Sequence, residues 1–130
     1  MIAPDTNVLV RVVTRDDERQ AAVATKVLRS NDLYLAKSVI LELEWVLRYS
    51  YGFDPGAVNR ALTLLIGLEN AIVEDTDAVE RAVSLHSDGM DFADALHLAS
   101  SGAAEDLVTF DRRLADMDGT LEGRPAVRLL

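Results

Sequence analysis

Short runs of strand-forming residues alternate along this chain with segments whose apolar side chains recur at helical spacing, and that alternation restricts the fold more than any other feature. Strand-like runs are Ile2-Ala3-Pro4-Asp5, Leu33-Tyr34-Leu35-Ala36, Ala71-Ile72-Val73, Leu107-Val108-Thr109-Phe110 and a last one over 126–130. Between them, helical spacing predicts a helix leading out of the first run through Val8 to Val13, then one over 16–29 behind an acidic first turn. Ser38 is the expected N-cap of a helix running to about Tyr51 and stopped by Gly52, and Pro55 suits the first turn of a helix reaching about Leu68. Thr76 or Asp77 is expected to cap the next, which breaks at Ser87-Asp88-Gly89. An apolar helix over 92–103 and a short one from Asp111 complete the pattern. The expected fold class is α/β: a parallel sheet of about five strands with helices on both faces, and sites beyond the carboxyl ends of the strands.

The 130 residues suffice for one full hydrophobic core, so residues 1–130 are read as a single domain. With 49% apolar but only 5% aromatic residues, that core must rest on Val, Leu, Ile and Ala. The chain has no cysteine, which excludes disulfides, thiolate zinc sites and thiol nucleophiles and fits a reducing cytoplasm. No stretch approaches the ~18 apolar residues of a membrane span, and the start lacks the pattern of a signal peptide, so a soluble cytoplasmic protein is expected. A formal net charge of −9 opposes broad electrostatic attraction to nucleic acid. A bound cation could still recruit a phosphate locally.

Acids stand where this architecture places a site. Asp5 ends the first strand, Asp111 follows the strand from Leu107, and Asp94 falls in the first turn of an apolar helix. Two carboxylates ~4 Å apart repel by roughly 4 kcal/mol at an effective dielectric near 20, and a shared divalent cation removes that conflict. An all-oxygen donor set favours Mg²⁺ or Mn²⁺ over Zn²⁺. Each acid also has a plainer role: Asp5 and Asp111 can be helix caps, and Asp91, Asp94, His97 and Ser101 form one polar stripe that could face a cavity or solvent. His97 is expected to be a structural histidine, and His86 a surface residue. Glu42 and Glu44 lie about 160° apart on one helix at ~100° per residue. Only one of them can face a given pocket, and the spacing does not choose between them.

Taken together, Pro4-Asp5-Thr6-Asn7, the segment from Glu42 to Leu47, the segment from Asp91 to Ala99, and Val108-Thr109-Phe110-Asp111 resemble the PIN-domain family, and within it the VapC-type toxins of toxin–antitoxin pairs. The resemblance covers essentially the whole chain. It implies a Mg²⁺-dependent endoribonuclease, with Mn²⁺ able to substitute, whose metal-binding and catalytic acids are Asp5, Glu42 rather than Glu44, Asp94 and Asp111, with Asp91 nearby. Thr6, Asn7 and Thr109 correspond to polar residues that support the acids through hydrogen bonds. An RNA substrate, a homodimer and a cognate antitoxin covering the acidic pocket are further implications. Arg11, Arg15, Arg48, Arg112 and Arg113 are candidates to grip flanking phosphates.

Two rivals come from other functional classes. A phospho-accepting receiver-like domain would need paired acids after its first strand and a lysine beyond a late one, whereas Asp5 stands alone and the only lysines are Lys26 and Lys37. A catalytically inactive PIN-like interaction module would keep the fold without the chemistry.

Overall fold

The computed structural model describes residues 1–117 and 125–130. In chain order its elements are α1 (Thr6–Thr14), α2 (Glu18–Arg29), β1 (Leu33–Leu35), α3 (Lys37–Tyr49), α4 (Pro55–Ile66), β2 (Ala71–Val73), α5 (Thr76–Ser87), α6 (Phe92–Ser100), β3 (Asp106–Thr109), α7 (Arg112–Met117) and β4 (Ala126–Leu129). The alternation of strand and helix is therefore present, and the chain is a mixed α/β structure with parallel strands.

The strands pair as two separate parallel ladders among the described residues. Strands β1 and β2 align Leu33 with Ala71 and Leu35 with Val73, and β3 and β4 run in register from Asp106 and Ala126 to Thr109 and Leu129. The segment expected as a first strand contributes a single parallel bridge, Ile2 to Leu33, in place of a strand. Its amide donates to the Asp32 carbonyl and its carbonyl accepts from Tyr34, each at 2.8 Å. Pro4 has no N–H to continue the ladder, and Asp5 already serves as the N-cap of α1. So the one sheet of about five strands appears as two ladders and a bridge.

Helix boundaries follow the polar groups that satisfy their free amides. Helix α2 starts at Glu18, two residues later than the acidic run implies, because the Asp17 carboxylate accepts the Gln20 N–H at 2.9 Å. Asp16 is engaged elsewhere: it pairs with Arg11 at 3.1 Å and accepts the Tyr51 hydroxyl at 2.6 Å. Ser38 is not the cap of α3. Lys37 N–H instead donates to the Glu74 carboxylate at 2.8 Å, an acceptor 37 residues away that local sequence could not reveal. Asp54 caps α4 ahead of Pro55, and Gly52 takes the left-handed φ of +68° just past α3. Helix α6 ends at Ser100, short of Ala103, where Ser101 N–H turns back to Leu98.

Helix α3 packs on α1 and α6, while α5 packs on α4 and α6. Leu33, Leu35, Leu43, Leu47, Val79, Phe92 and Leu98 are fully buried at the heart of the core. Both leucines of β1 point inward while Tyr34 between them is half-buried, the period-two pattern of a strand with one covered face. Among the described residues no helix is long and apolar enough to cross a membrane.

Candidate active site

The acids singled out from the sequence lie in two separate depressions. Asp5, Thr6, Asn7 and Glu42 line the first, of about 300 Å³. Asp91, Asp94 and Asp111 line the second, of about 420 Å³, together with Asp116 and Arg113.

In the first depression Asp5 occupies the N-cap position of α1, with extended backbone and Oδ1 accepting the Thr6 N–H at 2.7 Å. The cap role expected as the plainer alternative is therefore real, and it leaves Oδ2 outside that bond. Glu42 is exposed on α3, whose packing against α1 brings the two acids to one hollow. Thr6 is buried at 4% exposure, and its hydroxyl has no hydrogen-bond partner among the described residues. A buried hydroxyl without a partner is costly, and its place here is beside the Asp5 carboxylate. Asn7 is exposed on the same rim.

Glu44 goes the other way. It is 3% exposed, with Oε1 accepting from Arg48 Nε at 2.9 Å. The helical offset between the two glutamates thus delivers Glu42 to the depression and Glu44 to the interior.

The second depression gathers three acids around the start of α6. Asp91 is the N-cap, with Oδ2 accepting the Asp94 N–H at 3.1 Å. Burial raises the Asp94 carboxyl above its ordinary range, and the Asp91 and Asp111 charges raise it further, against smaller opposing effects of His97 and Arg113. Asp111 Oδ1 accepts the Arg113 and Leu114 amides at 2.9 and 3.4 Å, while its own N–H donates to Thr109 Oγ1 at 2.9 Å. Thr109 therefore fixes the backbone that carries Asp111. Asp116 joins the lining without having been anticipated; its position on a short helix five residues beyond Asp111 carries no pattern that marks it.

His86 corrects an expectation from the sequence. It is 7% exposed, not a surface residue, with Nδ1 3.0 Å from Asn59 Nδ2 and its ring edge-on to Phe92 at 5.6 Å. Its position at the end of α5, on the side that packs against α6, is what buries it. His97 is exposed, and the Ser101 hydroxyl of the same stripe donates to its carbonyl at 2.6 Å.

Among the described residues, no three of the His, Asp and Glu side chains are arranged closely enough to hold a metal ion as they stand. The donor set nevertheless fits a hard divalent cation in its chemistry. The acids are all-oxygen donors, the charges of Asp91 and Asp111 bear unfavourably on ionised Asp94, and an unpartnered hydroxyl sits beside Asp5.

A family model described as PIN domain matches residues 2–120. No curated protein and no solved structure matches the chain.

Proposed function

Because the chain belongs to the PIN-domain family, whose members are in general metal-dependent nucleases, we propose that it is a Mg²⁺-dependent endoribonuclease and the toxin of a type II toxin–antitoxin pair. The observation that carries this reading is the grouping of Asp91, Asp94 and Asp111 in one depression, with the Asp94 carboxyl raised by burial and by its two neighbours. Asp5 and Glu42, which both line the first depression, supply the remaining acids.

In this reading Asp5, Glu42, Asp94 and Asp111 hold Mg²⁺ or Mn²⁺, with Asp91 at the edge. Such an ion lowers the pKa of an attacking water and neutralises charge that develops on the phosphodiester. The chain's own residues do the orienting. Thr6 N–H holds Asp5, Thr109 holds the Asp111 backbone, and Asn7 stands at the rim to hydrogen-bond a ligand of the acids. Arg112 and Arg113 are exposed beside Asp111, within reach of flanking phosphates. Unpaired bases have stacking surfaces at hand: Phe110 is 82% exposed, and Trp45 and Tyr49, on the same side of α3 as Glu42, stack with centroids 5.0 Å apart. A homodimer, a cytoplasmic location and an antitoxin seated over the acids complete the proposal, on the strength of the motif order.

The test is cleavage of single-stranded RNA by purified wild type and Asp5→Asn, each with MgCl₂, MnCl₂ or EDTA. Wild type should cut in either metal and not in EDTA, leaving 5′-phosphate and 3′-hydroxyl ends, and the variant should not cut. Equal cleavage by both proteins would defeat the reading.

A second reading, the catalytically inactive interaction module, is favoured by one observation: the acids as placed do not form a metal-holding group among the described residues. Calorimetry showing no heat of Mn²⁺ binding would select it.

A further inference from the structure

Three polar side chains from separate segments close on one arginine beside the first depression: Asp16 from the turn between α1 and α2, Gln20 from α2, and Tyr51 from just past α3. That arginine, Arg11, lies four residues after Asn7 on the same face of α1 and lines the depression with Asp5 and Glu42. Its Nε donates to Gln20 Oε1 at 2.6 Å, and its Nη1 to both Asp16 oxygens at 3.1 and 3.2 Å. The Tyr51 hydroxyl donates to Asp16 Oδ2 at 2.6 Å and accepts from the same Nη1 at 3.2 Å. Together these bonds fix the guanidinium plane.

Nη2 carries two more N–H groups, which have no partner among the described residues, and the side chain is 28% exposed. Stability is a poor reason for the convergence, since a partly exposed ion pair contributes little. Asn7 and Arg11 also line a neighbouring hollow of about 720 Å³ between α1 and α2, with Arg19, Val23 and Val27. Arg11 therefore stands where two hollows meet, one lined by the acids and the other by apolar side chains and a second arginine. Arg15 and Arg48 line neither acid depression, and Arg113 belongs to the second.

We propose that Arg11 binds the substrate: held by Asp16, Gln20 and Tyr51, it donates through Nη2 to a non-bridging oxygen of a phosphate next to the one that is cut, where the RNA strand passes from the acids into the hollow between α1 and α2. The inference rests on the nuclease reading and adds to it the residue that grips the backbone on the side of Asp5. A phosphate that does not react is bound alike in the ground state and the transition state, so the loss of its partner belongs in KM and not in kcat.

The experiment is steady-state cleavage of a single-stranded RNA in MgCl₂ by the full chain, with Mn²⁺ affinity read by calorimetry. Arg11→Gln and Asp16→Asn are introduced together, which leaves the net charge as it is and strands no carboxylate. The pair should raise KM about 10- to 100-fold, the range for losing a hydrogen bond to a charged group, with kcat within about threefold and Mn²⁺ affinity within about twofold of wild type. The log–log dependence of KM on salt should become shallower by about 0.7, the value for one phosphate contact on a single strand. Should the pair not fold, Arg11→Lys decides the question: an ammonium keeps the Asp16 pair but lacks the fixed fork, and KM should rise at least about fivefold at unchanged Mn²⁺ affinity. An unchanged KM overturns the inference. So does a fall in kcat or in Mn²⁺ affinity at constant KM, the signature of a clamp that only holds the helices together. A wild type that does not cleave RNA strikes the nuclease reading itself, and this inference falls with it.

Discussion

Asp5 combines an observed role, the N-cap of α1, with the proposed role of metal ligand, and substitution can separate the two. As N-cap it accepts the Thr6 amide, a bond that asparagine can also accept, whereas alanine cannot. Asp5→Asn should therefore keep the wild-type Tm while RNA cleavage disappears, and Asp5→Ala should lose both cleavage and about 1 kcal/mol of stability, read from urea unfolding. His86 gives a second prediction at this scale. Burial holds its folded-state pKa below the ordinary 6.5, against the opposing charges of Glu44 and Asp91, with Arg48 adding to the depression. The unfolded chain takes up the proton first, so this contribution to stability is complete above about pH 6.5 and is lost as the pH falls through the lower folded value. Wild type should lose more stability than His86→Gln between pH 7 and pH 5, and parallel curves would contradict the assignment. Sequence exposed part of this scale. The angular offset of Glu42 and Glu44 is legible from their spacing, but which one meets Asp5 depends on how α3 packs against α1. The burial of His86 depends likewise on the α5 and α6 contact, and no local pattern reports either.

Among the elements, the connections carry as much as the strands do. Asn70, just before β2, donates its side-chain amide to the Leu28 and Asn31 carbonyls at 2.8 and 2.7 Å, tying the end of α2 to the start of the ladder. Asn70→Ala leaves both carbonyls without that donor, and the expected cost is about 1–3 kcal/mol in denaturant unfolding, with no change in the acid depressions. A change below a few tenths of a kcal/mol would show that water replaces the bond. Helix identities were readable because their apolar spacing is long and regular, and Pro55 marked the start of α4 in the position it occupies. The start of α3 was not readable, since its acceptor is Glu74, brought alongside by the β1 and β2 pairing. The first strand shrinks to a bridge for a reason local to the sequence: Pro4 follows Ile2 too closely for a ladder to grow.

On the scale of the whole molecule, charge decides how the proposed RNA substrate could be held. The chain carries a formal net charge of −9, and Arg11, Lys37, Arg48 and Arg128 are each engaged with a carboxylate. With 22 acidic against 13 basic side chains the protein offers little net attraction to phosphate, so the affinity of the metal-loaded protein for single-stranded RNA should fall with log salt at a slope shallower than about −2. A slope near −5 would reveal an extended basic face that this charge distribution does not provide. The class of the fold and the order of its acids could be read from the chain because they are properties of sequence order. How the acids divide between two depressions could not, because it depends on the separation of the ladders and on α3 lying between α1 and α6. The central proposal is that acids from both depressions bind the divalent metal, whether as one ion or two. It is tested most directly by calorimetric titration of Mn²⁺ into wild type, Asp5→Asn and Asp94→Asn. The account predicts saturable binding to wild type and at least about tenfold weaker binding to each variant, whereas Mn²⁺ affinity unaltered by either substitution would contradict it.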